Sequence, residues 1–178
     1  VQDVLEFLPE IYGKQIRVIY MNKSYRNTVE IASYANEITD VQGVELFERH
    51  GKPVEEKTFS ALTEMLEEAL KNLKLQENEY ETAAVITTTE EEAVFAYQYL
   101  KEKFPQTFYI DKDSSVFQKG LTVTTFYLAK GLEFDQVFGI SEKRNTPLLK
   151  QARYICATRA LHELYMYQLE EESHDKRA

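Results

Sequence analysis

Short apolar runs alternate with longer amphipathic segments along this chain. Apolar runs, several of them rich in β-branched residues, predict strands at 17–21, 44–47, 83–87, 106–110, 121–126, 136–140 and 163–168. Apolar residues at helical spacing predict helices beginning near Asn27, over 59–73, after Thr89 and after Thr146. Strands that alternate with helices indicate an α/β fold with a mostly parallel sheet covered by helices on both faces.

Capping patterns mark where several helices begin. Asn27 with Glu30, and Thr89 with Glu92, have the spacing of a capping box, in which two side chains satisfy orphan backbone N–H groups. Thr146 precedes a proline, and this pair predicts a cap followed by the first helical residue.

One turn between two predicted core strands carries polar residues. Lys130, Gly131 and Glu133 follow the strand 121–126, and loops at strand ends are where α/β proteins place ligand chemistry. The segment could equally be a plain turn with a solvated carboxylate. We expect it at the carboxyl edge of the sheet.

Two arginines could join this turn. Arg26 lies between the first strand and the amino end of a helix, where N–H groups favour anions, and an arginine adds a bidentate phosphate donor. Arg26 could also simply face solvent. Arg159 would reach across from a helix end. Two arginines and a carboxylate beside a glycine turn suit a nucleotide.

Composition narrows the functional classes. The 178 residues include 43% hydrophobic and 29% charged residues, as in one soluble globular domain, with a net charge of -9. This acidity disfavours tight, non-specific nucleic-acid binding unless the contact is local or shared with another domain. The single Cys156 suits a reducing compartment, so a cytoplasmic location is expected. The sequence shows no metal-ligand spacing and no membrane-length apolar run.

The chain resembles superfamily 1 helicases of the UvrD/Rep type in three places. Their motif IV resembles SYRNTVEI, their motif V resembles TTFYLAKGLEFDQV, and their motif VI resembles YICATRALHELYMY. The segments KGLEFDQV and CATRALHEL are most similar to those of the helicase IV (HelD-like) branch. The three motifs occur in the family's order and spread over most of the chain.

The resemblance implies the second RecA-like motor domain, with a RecA-like P-loop NTPase fold, at 16–169. Residues 1–15 would be an arm leading into this domain, and 170–178 a loose charged tail. In the family, ATP with Mg²⁺ lies between two RecA-like domains. By motif match, Arg26 and Arg159 would contact the γ-phosphate as arginine fingers.

The same match assigns the remaining candidate residues. Glu133 corresponds to a glutamate that contacts the nucleotide sugar, and Gly131 would allow close backbone approach. Thr125 and Tyr127, with Lys130 beside them, would face the nucleic-acid strand. Tyr127 stands where many members carry histidine, and its ring could stack on a base or pack in the core.

The chain also lacks parts of such an enzyme. It contains no G-x-x-x-x-G-K-[ST] and no acidic metal-binding motif in the expected context, so we expect an N-terminal RecA-like partner domain to supply both and this chain alone to be inactive. Only residues 111–120 separate the strand 106–110 from motif V, where many relatives insert a large accessory domain. The insertion is therefore predicted to be absent.

Three functional hypotheses follow. The first is the C-terminal motor domain of an ATP-dependent DNA helicase or translocase that acts on single-stranded or duplex DNA. The second is a domain that works mainly by docking on RNA polymerase, since the helicase IV-like branch includes relatives that act on that enzyme. The third is a stand-alone, degenerate binding module.

Overall fold

A computed structural model of the chain describes residues 23–24, 27–40, 45–46, 49–114 and 118–171. The strands within these ranges are β1 Lys23–Ser24, β2 Glu45–Leu46, β3 Glu55–Phe59, β4 Thr82–Thr87, β5 Thr107–Tyr109, β6 Gly120–Thr125, β7 Phe134–Glu142 and β8 Ala160–Leu169. The helices are α1 Val29–Thr39, α2 Leu62–Asn72, α3 Glu90–Lys103 and α4 Pro147–Arg159. No helix among the described residues is long and apolar enough to cross a membrane.

Six strands form one all-parallel sheet in the order β3-β8-β7-β4-β6-β5. The two-residue strands β1 and β2 pair separately with each other. The predicted α/β fold with a parallel sheet is confirmed. Residues 110–119 alone link β5 to β6, so the predicted absence of a large insertion is also confirmed.

Helices cover both faces of the sheet, as alternation along the strands requires. Val85 of β4 packs in the core beneath α2 and α3, while its neighbour Ile86 packs on the opposite face beneath α1 and α4. The same alternation holds on β8, where Tyr165 and Met166 point to opposite cores. The sheet is therefore the middle layer of three, with an apolar core on each side.

Gly139 lets α4 lie close to β7. A Cβ at this position would stand 2.8 Å from the Sδ of Met166 and 3.2 Å from the Cβ of Cys156. Burial of Cys156 in this contact raises the pKa of its thiol to about 12, so the thiol stays protonated and unreactive at neutral pH.

The helix predicted over 59–73 is wrong at its start. Phe59 ends the strand β3, which the sequence reading missed, and the helix α2 begins at Leu62. The three central residues of β3 are exposed, and among the described strands β3 lies at the edge of the sheet and pairs with β8 alone. An edge strand of this kind lacks the apolar pattern that predicts a strand. Phe59 was assigned to the helix because it lies three residues before Leu62, which is a helical spacing.

The cap predicted for α1 is also wrong. Thr28 is the N-cap residue, and its hydroxyl accepts from the backbone N–H of Ile31. Asn27 lies outside the helix, and Glu30 accepts from the backbone N–H of Gly51. The box of Thr89 with Glu92 is confirmed at the start of α3, and Thr146 caps α4 as predicted. The predicted strand 17–21, the arm 1–15 and the last seven residues of the tail lie outside the described residues.

Candidate nucleotide site at the amino edge of the sheet

The segment 126–133 crosses one face of the sheet. Its first residue, Phe126, donates its N–H to the carbonyl of Thr87 at 3.0 Å, at the carboxyl end of β4. Ala129 within the segment and Phe134 after it are fully buried in the core beneath α1 and α4. Glu133 therefore lies at the amino edge of β7. The expectation of a site at the carboxyl edge was wrong, because a link between parallel strands must return the chain to the opposite edge.

Arg159 lies at this same amino edge. It is the last residue of α4, and the next residue, Ala160, pairs with Phe134 as the first register pair of β8 and β7. The Nη1 of Arg159 donates to the carbonyl oxygen of Leu132 at 3.2 Å. The structure thus brings together Arg159 and the segment that contains Gly131 and Glu133.

The guanidinium of Arg159 is partly satisfied by the protein. Besides the bond to Leu132, Nη2 donates to the hydroxyl of Thr158 at 3.4 Å. Its Nε is buried and has no hydrogen-bond partner among the described residues. A guanidinium carries five N–H donors, so donors remain for an anion such as a phosphate.

Gly131 is required by the backbone conformation of the turn. Its φ is +83°, a region that residues other than glycine rarely adopt, and apart from its chain neighbours no described residue has an atom within 4 Å of where a Cβ would be. The neighbouring Lys130 is exposed, and Glu133 is half-buried. The turn therefore presents open backbone beside a cation and a carboxylate.

Arg26 lies outside the described residues, but the next residue, Asn27, contacts the backbone where α4 ends and β8 begins, on either side of Arg159. The Nδ2 of Asn27 donates to the carbonyl of Ala160 at 2.6 Å and to that of Thr158 at 3.4 Å. The chain that leads into α1 and the junction between α4 and β8 are therefore in direct contact.

The three candidate nucleic-acid residues differ in exposure. Thr125 is buried at the carboxyl end of β6, and its hydroxyl has no hydrogen-bond partner in the described part of the chain. In this conformation its side chain is not open to a nucleic-acid strand. Tyr127 is 46% exposed and packs edge-to-face against Phe126, so its ring does not lie in the core. Lys130 is exposed.

A buried polar cluster next to the site was missed in the sequence. Glu163 of β8 is buried, and its carboxylate accepts from the Nζ of Lys74 at 2.6 Å, from the hydroxyl of Tyr80 at 2.8 Å and from the Nε2 of Gln136 at 3.2 Å. The hydroxyl of Tyr165 donates to it as well. Burial raises the pKa of Glu163, but these hydrogen bonds outweigh it, so the pKa lies below its usual value. The partners come from the link between α2 and β4, from β7 and from β8 itself, and no local sequence pattern reveals them.

Glu163→Gln is expected to weaken the acid dependence of stability. Because the folded-state pKa of Glu163 is lowered, its carboxylate contributes stability above the unfolded-state pKa of about 4.3, and that contribution is lost as the pH falls through the folded-state pKa. At pH 7 the variant should lose roughly 1–3 kcal/mol of unfolding free energy. Urea denaturation between pH 3 and pH 7 measures both quantities. Glu77→Gln, at an exposed glutamate, is the matched control, and equal pH slopes for the two variants would contradict the prediction.

Asp135 and His162 complete the polar cluster at this edge. One oxygen of Asp135 accepts from the backbone N–H groups of Glu81 and Thr82, which ties the amino ends of β7 and β4 together. His162 stacks on Tyr80 with ring centroids 5.3 Å apart, and its Nε2 lies 3.6 Å from Asp135. Among the described residues, no group of three or more His, Cys, Asp or Glu could hold a metal ion.

Comparison with known proteins gives structural but no sequence matches. No protein-family model and no curated protein matches the chain. The chain is similar to the C-terminal domain of a possible DNA helicase from Lactobacillus plantarum WCFS1, with 25% identity and a TM-score of 0.64 over 82% of this chain and 88% of that one.

Two weaker likenesses carry no weight here. Arterivirus nonstructural protein 10, a helicase solved with DNA, shares 12% identity at a TM-score of 0.41 over 65% of this chain and 28% of that chain. T4 UvsW shares 10% identity at a TM-score of 0.41 over 74% of this chain and 37% of that chain. From the first likeness and the parallel sheet, the chain has a RecA-like α/β fold similar to that of a helicase C-terminal domain.

Proposed function

We propose that this chain is the C-terminal motor domain of an ATP-dependent DNA helicase or translocase of superfamily 1, related to the UvrD/Rep type and its helicase IV branch. One observation carries the proposal: the guanidinium of Arg159, in the segment that resembles motif VI, donates to the backbone of Leu132, in the segment that resembles motif V. The likeness to a possible DNA helicase domain supports the assignment to DNA.

The residues at the amino edge fit one half of a nucleotide site. The donors of Arg159 suit phosphate oxygens, the carboxylate of Glu133 suits ribose hydroxyls, and the open backbone at Gly131 permits close approach. When bound, ATP with Mg²⁺ would supply the phosphoryl group and its counter-ion. The phosphate-binding loop and the metal-binding acid would come from an N-terminal RecA-like domain.

The proposed role of Arg159 and Arg26 is to stabilise negative charge on the transferring phosphoryl group. Guanidinium groups fixed beside a transferring phosphoryl group stabilise the charge that develops in the transition state, and one such arginine contributes roughly 10³- to 10⁵-fold to the rate. Glu133 would orient the sugar, so that the phosphates meet the arginines. Closure of the two domains would therefore complete the site and couple hydrolysis to movement along DNA.

Tyr127 and Lys130 are the exposed residues proposed to contact the nucleic acid. An exposed aromatic ring can stack on a base, a contact worth about 1–3 kcal/mol, and a lysine can contact phosphate. A contact limited to these two residues is consistent with the negative net charge of the domain, because a second domain would provide the other contacts with the nucleic-acid strand.

The function is tested by steady-state ATP hydrolysis with and without single-stranded DNA. The full-length protein is expected to hydrolyse ATP faster when DNA is present, while the 178-residue chain alone should show no turnover, because its sequence contains no phosphate-binding loop. Turnover by the isolated chain would contradict a shared site. Absence of DNA-stimulated hydrolysis by the full-length protein would remove the motor function and favour a binding module.

A further inference from the structure

Two side chains hold the backbone on both sides of Arg159. Asn27, just before α1, donates its Nδ2 to the carbonyls of Ala160 at 2.6 Å and Thr158 at 3.4 Å. Arg49, in the segment before β3, donates its Nη2 to the carbonyl of Leu161 at 2.7 Å. The backbone N–H of Val29 donates to the carbonyl of Arg49 at 2.9 Å, so the chain segments that carry Asn27 and Arg49 are also joined. We call Asn27 and Arg49 the junction pair.

The junction pair donates to carbonyls at the start of β8. The helix α4 ends at Arg159 and β8 begins at the next residue, without a loop. Within the described residues, β3 pairs with β8 only from Tyr165 onward, so none of the described strands pairs with the first residues of β8 on the β3 side. On the other side the ladder with β7 is irregular between Phe134 and Gln136. The side-chain donors Asn27 and Arg49 therefore satisfy carbonyls where the described ladder is incomplete.

His162 extends this arrangement past the junction. The Nη1 of Arg49 lies 3.1 Å from the Nδ1 of His162, within hydrogen-bond distance of a guanidinium donor. The Nε2 of the same ring faces Asp135 at 3.6 Å, and the ring stacks on Tyr80. The strand that follows Arg159 is thus fixed by several independent contacts.

We propose that Asn27 and Arg49 are positioning residues for Arg159: they fix the backbone on either side of it and so hold its guanidinium where phosphoryl transfer needs it. This inference rests on the proposed function. A rate contribution from an arginine finger depends on its geometry, and a misplacement of about 1 Å can cost roughly 10²-fold. The junction pair also couples the segment that resembles motif IV to the one that resembles motif VI through contacts outside the nucleotide.

The test compares variants of the full-length protein in DNA-stimulated ATP hydrolysis. Asn27→Ala and Arg49→Ala are each expected to lower kcat roughly 10- to 100-fold, with a small change in KM for ATP. Arg49→Lys keeps the charge and one donor, so it should recover part of the rate. The matched control is Arg153→Ala, which removes a guanidinium that bonds the carbonyl of Arg144, before the amino end of α4. This control should keep the original kcat.

A second background separates positioning from general destabilisation. In an Arg159→Ala protein, measured by single-turnover hydrolysis, adding Asn27→Ala should cause no further loss, because the residue it positions is gone. The same fold-loss in both backgrounds would overturn the proposal. Loss of kcat in Arg159→Ala with unchanged kcat in both junction variants would overturn the positioning role alone. An unchanged kcat in Arg159→Ala would overturn the arginine-finger function and the positioning role together.

Discussion

Under the proposed motor function, replacing Arg159 with alanine in the full-length protein is expected to lower kcat for ATP hydrolysis by roughly 10³-fold or more. The guanidinium lies at the amino edge of the sheet, bonded to the backbone of Leu132 and with a buried Nε that has no partner among the described residues. A group that acts on charge developing in the transition state affects kcat more than KM. Stopped-flow or steady-state hydrolysis with saturating DNA measures this change.

Two further variants make this result specific. Arg153→Ala removes a guanidinium from the same helix, where it donates to Asn145, and should leave kcat unchanged. Arg159→Lys keeps a positive charge without the planar fork, so it should remain well below the original rate. An unchanged kcat in Arg159→Ala would remove the arginine-finger role.

Phe138→Ala is expected to lower the free energy of unfolding by about 3–5 kcal/mol. Phe138 is fully buried at the centre of β7, and its ring stacks on that of Tyr165 with centroids 4.7 Å apart. Truncation removes apolar burial and leaves a cavity between the sheet and the helices α2 and α3, because the surrounding close-packed side chains relax only partially. Urea denaturation of the 178-residue chain measures the change.

The same substitution at an exposed position is the control. Phe95 on α3 is 43% exposed, and Phe95→Ala should cost less than about 1 kcal/mol. Equal losses for the two phenylalanines would show that Phe138 does not have the core role that its burial indicates.

The centre of the fold could be predicted from the sequence because its signals are local. The strands β4, β6 and β7 are largely buried on both faces, and each contains a run of apolar or β-branched residues in the sequence. The cap of α3 is encoded by Thr89 and Glu92, three residues apart. The motif resemblance assigned Arg159 and Glu133, and the structure places both at the amino edge.

The parts that were missed depend on contacts between distant residues. The strand β3 exists because β8 offers it a partner, and its own sequence is mostly polar. Glu133 lies at the amino edge because residues 126–133 carry the chain back across the sheet. The spacing of residues in the sequence does not predict this path. Asn27 and Arg49 donate hydrogen bonds to backbone carbonyls more than 110 positions away in the sequence. Every residue has such a carbonyl, so the sequence does not indicate which ones accept these bonds.

The position of the short link 110–119 determines where this fold could accept an inserted domain. The link joins β5, one of the two edge strands, to β6, and three strands separate β5 from the β8 that begins beside Arg159. Each doubling of a flexible loop costs only about 0.6 kcal/mol in closure entropy. Additional chain at this position would interrupt no ladder of the sheet, so a whole module could be acquired here during evolution while the distant edge kept its arrangement.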